Sequence, residues 1–149
     1  MHGPRHAVIV PRILGWFNPP ARTTLCVMTS PREIHTLLEH AFNRGDLDAF
    51  VAAFEEDAAM VDPPTGELVS GRAAIRAALE PTFAMRPIAS IVVTGELQAD
   101  GLALTHANWT LAGIRDGEPV QLAGRGAIVS RRRPDGSWGI VLDNPLTPG

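Results

Sequence analysis

Residues 88–142, IASIVVTGELQADGLALTHANWTLAGIRDGEPVQLAGRGAIVSRRRPDGSWGIVL, decide the architecture. Three turns, Ala99-Asp100-Gly101, Arg115-Asp116-Gly117 and Pro134-Asp135-Gly136, cut this stretch into four segments. Each turn contains Asp-Gly, whose residues tolerate the positive φ of a tight hairpin. The segments between them, Ile88–Gln98, Leu102–Ile114, Pro119–Arg133 and Ser137–Leu142, carry side chains with a period near two, the spacing of a strand. Four strands joined by hairpins make an antiparallel meander.

Upstream of Pro87 the period changes to that of a helix. Ser30-Pro31-Arg32-Glu33 is a capping box with proline at the first helical position, and Ile34, Leu37, Leu38 and Ala41 follow on one face. Gly45 suits the left-handed position that ends this helix. Asp46 caps a second, short helix through Leu47, Ala49, Phe50, Ala53 and Phe54, closed by Asp57. Ala58–Asp62 reads as a strand stopped by Pro63-Pro64, and Leu68-Val69 as its brief partner. Ser70-Gly71 opens a third helix that buries Ala74, Ile75, Ala78 and Leu79. Helices first and a meander afterwards define an α+β domain: a cone-shaped, curved antiparallel sheet with three helices packed on its concave side. Such a sheet does not close on its helices, and the cone keeps room for a small ligand.

Composition narrows the chemistry. The chain has 149 residues, 45% hydrophobic and 19% charged, which suits one globular domain. Its net charge is −3, and three of its arginines (Arg5, Arg12, Arg22) precede Met28. From Met28 onward ten basic residues face sixteen acidic ones, a balance of −6 that argues against nucleic acid or an anionic membrane as partner. Lysine and tyrosine are absent, which removes the Schiff-base amine and the phenol. A single cysteine, Cys26, excludes a disulfide framework and a thiolate metal cage, and fits a cytoplasmic setting. His35 and His40 are five apart on a helix and do not share a face, so no metal pair is expected. Gly124-Arg125-Gly126 lacks the third glycine of a dinucleotide loop, and no cofactor is expected. Residues 1–28 read as a disordered leader or an early start, with the domain occupying 29–149.

Several short segments, in their order and spacing, resemble one family. Phe42-Asn43-Arg44-Gly45-Asp46-Leu47-Asp48-Ala49 resembles the helix-break-helix signature of SnoaL-like and ketosteroid-isomerase-like proteins of the nuclear transport factor two-like superfamily. Asp57-Ala58-Ala59-Met60-Val61-Asp62-Pro63 and Gly71-Arg72-Ala73-Ala74-Ile75 resemble the strand and helix start that follow it. Arg125-Gly126, Arg132–Trp138 and Asp143-Asn144-Pro145 are similar to its closing strands. The resemblance spans Ser30 to Pro145. It implies a pocket for a small apolar ligand and a homodimer formed through the outer sheet face.

The resemblance also nominates residues. Asp62 matches the general base of ketosteroid isomerases; in an apolar cavity its pKa would rise toward the range useful for proton transfer. The alternative is a strand-end aspartate that anchors its own turn. The isomerase pattern fails at its other two polar positions, which fall at Leu38 and Arg125, so steroid isomerisation is not expected. Arg125, between Ala123 and Ala127, would clamp a carboxylate or a developing oxyanion. Otherwise it forms an internal ion pair with Asp62 or Asp143. Strand alternation puts Asp143 with Gly139 and Val141 on the face that, by resemblance, lines the cavity; the alternative is a cap on the chain reversal at Asn144-Pro145. Leu38, Phe54, Met60, Trp109 and Val141 are the expected pocket wall. Two functional readings stand side by side. One is a cofactor-free isomerase, cyclase or hydratase of a small apolar carbonyl compound, with Asp62 as base assisted by Arg125 or Asp143. The other is a non-catalytic ligand-binding or dimerisation domain.

Overall fold

The computed structural model of the chain describes residues 28–148, so the reading of residues 1–27 as a leader lies outside the described residues. Met28 itself is buried in the core, and its carbonyl accepts the Trp138 N–H at 3.1 Å.

Helix α1 (Pro31–Arg44) starts where Ser30 accepts the Glu33 N–H, and Glu33 in turn accepts the N–H of Thr29. It ends at Gly45, whose φ of 68° is the left-handed cap expected of a glycine there. Helix α2 (Leu47–Ala52) begins at Asp46, whose Oδ1 accepts the Ala49 N–H at 2.9 Å. It stops before the expected Ala53 and Phe54, because the Ala53 carbonyl is taken by the N–H of Ile140 at 2.8 Å and Phe54 already belongs to a strand. Strands β1 (Phe54–Val61) and β2 (Leu68–Ser70) follow, then helix α3 (Arg72–Ala84). The meander is β3 (Ile88–Ala99), β4 (Leu102–Arg115), β5 (Glu118–Arg132) and β6 (Trp138–Asn144). Its first two turns place Asp100-Gly101 and Asp116-Gly117 at positive φ, as two-residue hairpins of this twist require.

The six strands form one sheet in the order β2-β1-β6-β5-β4-β3. All neighbours are antiparallel except β1 and β6, which run parallel, so the expected antiparallel sheet is a mixed one. The parallel pair arises because the last strand inserts between β5 and the first strand, from which one helix and four strands separate it in the chain. That insertion curls the sheet around α1, α2 and α3. Ile34, Leu38, Phe50, Phe54, Met60, Ile75 and Ile140 form the centre of the core between them.

Two of the sequence segments have structural meanings. Asn43 bridges the backbone of Ala89 through both ends of its amide (2.6 and 3.1 Å), and Glu39 accepts the Ile91 N–H at 2.7 Å. These side chains of α1 engage backbone groups of β3, the strand at the open edge of the sheet. Arg72 donates Nε and Nη2 to the Phe54 carbonyl at 2.8 and 2.6 Å, where β1 bulges between Phe54 and Ala59 and the ladder to β6 is interrupted. The adjoining Ile75 is fully buried.

Candidate functional site

Between the helices and the concave face of the sheet lies a cavity of about 410 Å³, well within the range of small-molecule sites. Its inner wall is His35 and Leu38 of α1, Phe50, Met60 of β1, Leu79 of α3, Ala107 and Leu111 of β4, Ile128 of β5 and Asp143 of β6. The exposed residues Pro63, Pro64, Leu122 and Leu146 belong to its mouth. Trp109 lines the wall between them, its Nε1 held by the Pro145 carbonyl at 2.7 Å. The ring has room because the facing residue is Gly124: a Cβ there would come within 2.6 Å of Trp109 Cζ2.

Among the described residues Asp143 is the one acidic side chain in this wall, only 7% exposed, and its carboxyl is in none of their ion pairs. Burial pushes its carboxyl up from the usual 3.8 to about 7. A β-bulge aims it inward. On the β5 side Ser130 pairs Ile140 and Val129 pairs Leu142, so Val141 is an extra residue on β6. Ile140 faces the core, Leu142 is exposed, and Asp143 faces the cavity beside Ile128.

His35 stands across the cavity. Asp143, Ile128 and Thr105 are register neighbours on β6, β5 and β4, all on the concave face, and Thr105 Oγ1 contacts His35 Nε2 at 2.7 Å. Two strand spacings separate Asp143 from Thr105, about 10 Å between backbones. Burial, reinforced by the charge of Arg32 and opposed by Glu96, lowers the His35 pKa from 6.5 to about 4, so its imidazole is neutral at physiological pH. With Nε2 engaged by Thr105, Nδ1 is the nitrogen left for a ligand. His35 was weighed in the sequence only as a metal ligand; its place between Ile34 and Leu38 on the apolar stripe is the signal that it faces inward.

The other nominated residues are distributed differently. Leu38, Met60 and Trp109 line the cavity. Phe54 is fully buried in the core behind it, and Val141, half-buried at the bulge, is not part of the wall. Asp62 lies at the end of β1 outside the wall; its Oδ2 accepts the Thr65 hydroxyl at 2.9 Å and its carbonyl accepts the N–H of Gly66 at 2.7 Å, so it anchors its own turn. Arg125 sits on the convex face of the sheet. The concave residues of β5 are even-numbered, Leu122 through Ser130, and Arg125 shares a separate outer cleft with Thr94, His106, Asn108 and Thr147. It pairs with neither Asp62 nor Asp143. Among the described residues no cluster of His, Cys, Asp and Glu is arranged to hold a metal ion, and no helix is long and apolar enough to cross a membrane.

With this fold and cavity in view, the comparisons with known proteins give one family. A family model described as the SnoaL-like domain matches residues 34–138, and the chain belongs to that family. Among solved structures, a putative calcium/calmodulin-dependent protein kinase type II association domain from Thiobacillus denitrificans is 25% identical, with a TM-score of 0.65 over 81% of this chain and 98% of that one. A ketosteroid isomerase-like protein from Erwinia carotovora atroseptica is 17% identical, with a TM-score of 0.65 over 78% and 94%. A hypothetical protein of ketosteroid isomerase-like fold from Catenulispora acidiphila, in complex with trimethylamine, is 25% identical, with a TM-score of 0.54 over 77% and 84%. No curated protein matches the chain.

Proposed function

We propose that the cavity binds a small apolar carbonyl compound and moves a proton on it without a cofactor, with Asp143 as the general base. The observation that carries this reading is an unpaired carboxyl, raised to about 7, in a largely apolar wall. A group with that pKa holds and releases a proton near neutrality. Its carboxylate takes a proton from the carbon next to the carbonyl, and the electron pair moves onto the carbonyl oxygen. Neutral His35 faces that oxygen from the opposite wall and donates a hydrogen bond to it. This requires the Thr105 hydroxyl to donate to Nε2 at 2.7 Å rather than to the more distant Ile128 carbonyl at 3.4 Å, which puts the ring proton on Nδ1. Where a carbon–carbon double bond is conjugated to the enolate, return of the proton from Asp143 to its far carbon completes an isomerisation. Attack of the enolate carbon on a second carbonyl of the same molecule, whose oxygen then takes the proton from Asp143, completes a cyclisation. The Catenulispora relative, described with trimethylamine, supports a fold that takes small organic ligands.

The role first assigned to Asp62 thus passes to Asp143, and Asp62 keeps the turn. The proposal includes a homodimer through the convex sheet face, where Ile88, Val92 and Ile114 are each about 60% exposed.

The test is exchange of carbon-bound hydrogen for deuterium in heavy water, followed by proton NMR, across a set of small apolar ketones and lactones. Wild type and Asp62→Asn should both accelerate exchange of at least one class, and Asp143→Asn should not, while still binding the compound. Equal exchange by Asp143→Asn would remove Asp143 as base. Binding without exchange in any protein would leave a ligand-binding domain.

A further inference from the structure

Among the described residues the wall of the cavity contains one permanent cation, Arg115, and its place specifies the ligand further. Arg115 ends β4, at the hairpin to β5. Asp143 lies at the other end of the cavity, beside Ile128, whose β4 partner is Thr105, ten residues before Arg115. Between these two charged residues the wall is Leu38, Phe42, Ile91, Leu111 and Trp109. The cavity is therefore electrically polarised along its length, with a buried acid at one end, a solvated guanidinium at the other and hydrocarbon between.

Arg115 is also held in place. Its Nη2 reaches the Met85 sulfur at 3.3 Å, a weak acceptor that leaves most of the guanidinium donors free. The Met85 carbonyl takes the N–H of Ile114 at 3.0 Å, and this close approach of the end of α3 to β4 depends on Gly113, where a Cβ would lie 2.7 Å from the Met85 oxygen. The acidic neighbours Asp116 and Glu118 stand on the same hairpin, yet Arg115 is in none of the ion pairs among the described residues.

We infer that the ligand is an amphipathic carboxylate, its acid group on Arg115 at the mouth and its apolar body extending inward toward Asp143. The opposite orientation would bring a second carboxylate against a buried carboxyl, and like charges there disfavour each other. At the mouth the carboxylate stays partly hydrated while gaining a charge-assisted hydrogen bond, so little desolvation opposes it. The inference rests on the reading of this cavity as a ligand site, and not on the proton chemistry of Asp143.

Isothermal titration of the full chain with octanoate and decanoate, against 1-octanol and 1-decanol, tests it. Wild type should bind the carboxylates about tenfold more tightly than the matched alcohols. Arg115→Gln should abolish that preference by weakening carboxylate binding alone, and Arg115→Lys should retain part of it. The preference should shrink in about 1 M salt, where an exposed charge pair is screened. Equal affinity of wild type for acids and alcohols would overturn the inference and leave the cavity a ligand site. A loss of both classes in Arg115→Gln would also overturn it, because Arg115 would then only shape the mouth. If neither class binds wild type, the inference and the ligand-site reading fail together.

Discussion

Asp143 and His35 titrate in opposite directions, and the consequence for stability can be worked out. Between pH 4 and 7 the folded chain keeps a proton on Asp143 that the unfolded chain has released, so this residue makes stability fall as pH rises, by up to about 4 kcal/mol. Between pH 4 and 6.5 the unfolded chain holds a proton on His35 that the folded chain refuses. That makes stability rise with pH, by up to about 3 kcal/mol. In the wild type the two slopes largely cancel below pH 6.5. Asp143→Asn should therefore expose a rising profile and His35→Gln a falling one, relative to wild type, in urea unfolding at pH 4.5, 5.5 and 6.5. Parallel profiles for all three proteins would refute the pair. A second residue-scale prediction concerns Ser130, whose Oγ is fully buried without a partner among the described residues. Ser130→Ala should keep or raise stability, by up to about 1 kcal/mol, since an unsatisfied hydroxyl is costly to bury. At this scale the sequence was only partly legible. His35 lies on a visible apolar stripe, whereas Arg125 was misplaced because both faces of β5 near it are glycine and alanine. Without hydrophobic contrast the phase of a strand cannot be read.

Among the elements, β6 shows why alternation alone fails. It groups Asp143 with Gly139 and Val141, yet the extra residue at Val141 breaks the alternation before Asp143 is reached. Nothing in Trp138–Asn144 announces a bulge, because its cause is the pairing of β6 with two differently directed neighbours. Deleting Val141 should straighten the ladder while Leu142 stays opposite Val129 and Asp143 opposite Ile128, so Asp143 keeps facing the cavity. The variant should fold and keep the fall in stability with pH that Asp143 contributes, as read by the same urea series; loss of that slope would show that the bulge itself positions the carboxyl. Glycine in β5 has a firmer meaning. Gly124→Ala puts a methyl group against the Trp109 ring and should cost about 1–3 kcal/mol in chemical denaturation. The three hairpins and the caps of α1 and α2 were readable because each depends on residues adjacent in sequence. The end of α2 was not, since a distant strand recruits the Ala53 carbonyl.

The described residues form a curved six-stranded sheet closed by three helices, and the α+β cone could be read from the order of these elements. The parallel β1–β6 pair could not, because hairpin logic speaks only of consecutive strands. Curvature separates two faces with different uses. The concave face encloses the polarised cavity, and the convex face presents Ile88, Val92, Leu97, Ile114 and Leu142 to solvent. A dimer covering that convex face should appear in size-exclusion chromatography with light scattering, and Val92→Glu should convert it to monomer without altering the cavity; a wild-type monomer would defeat this expectation.

The proposed chemistry depends on a carboxyl held near neutrality by a largely apolar cavity. Carbon-13 NMR of aspartate side chains across pH 3 to 9, with Asp143→Asn used to assign the resonance, measures it directly. A transition for Asp143 near pH 7 is the predicted result. A transition at its ordinary value near 3.8 would mean that water or a partner group solvates this carboxylate, and the site as described here would not exist.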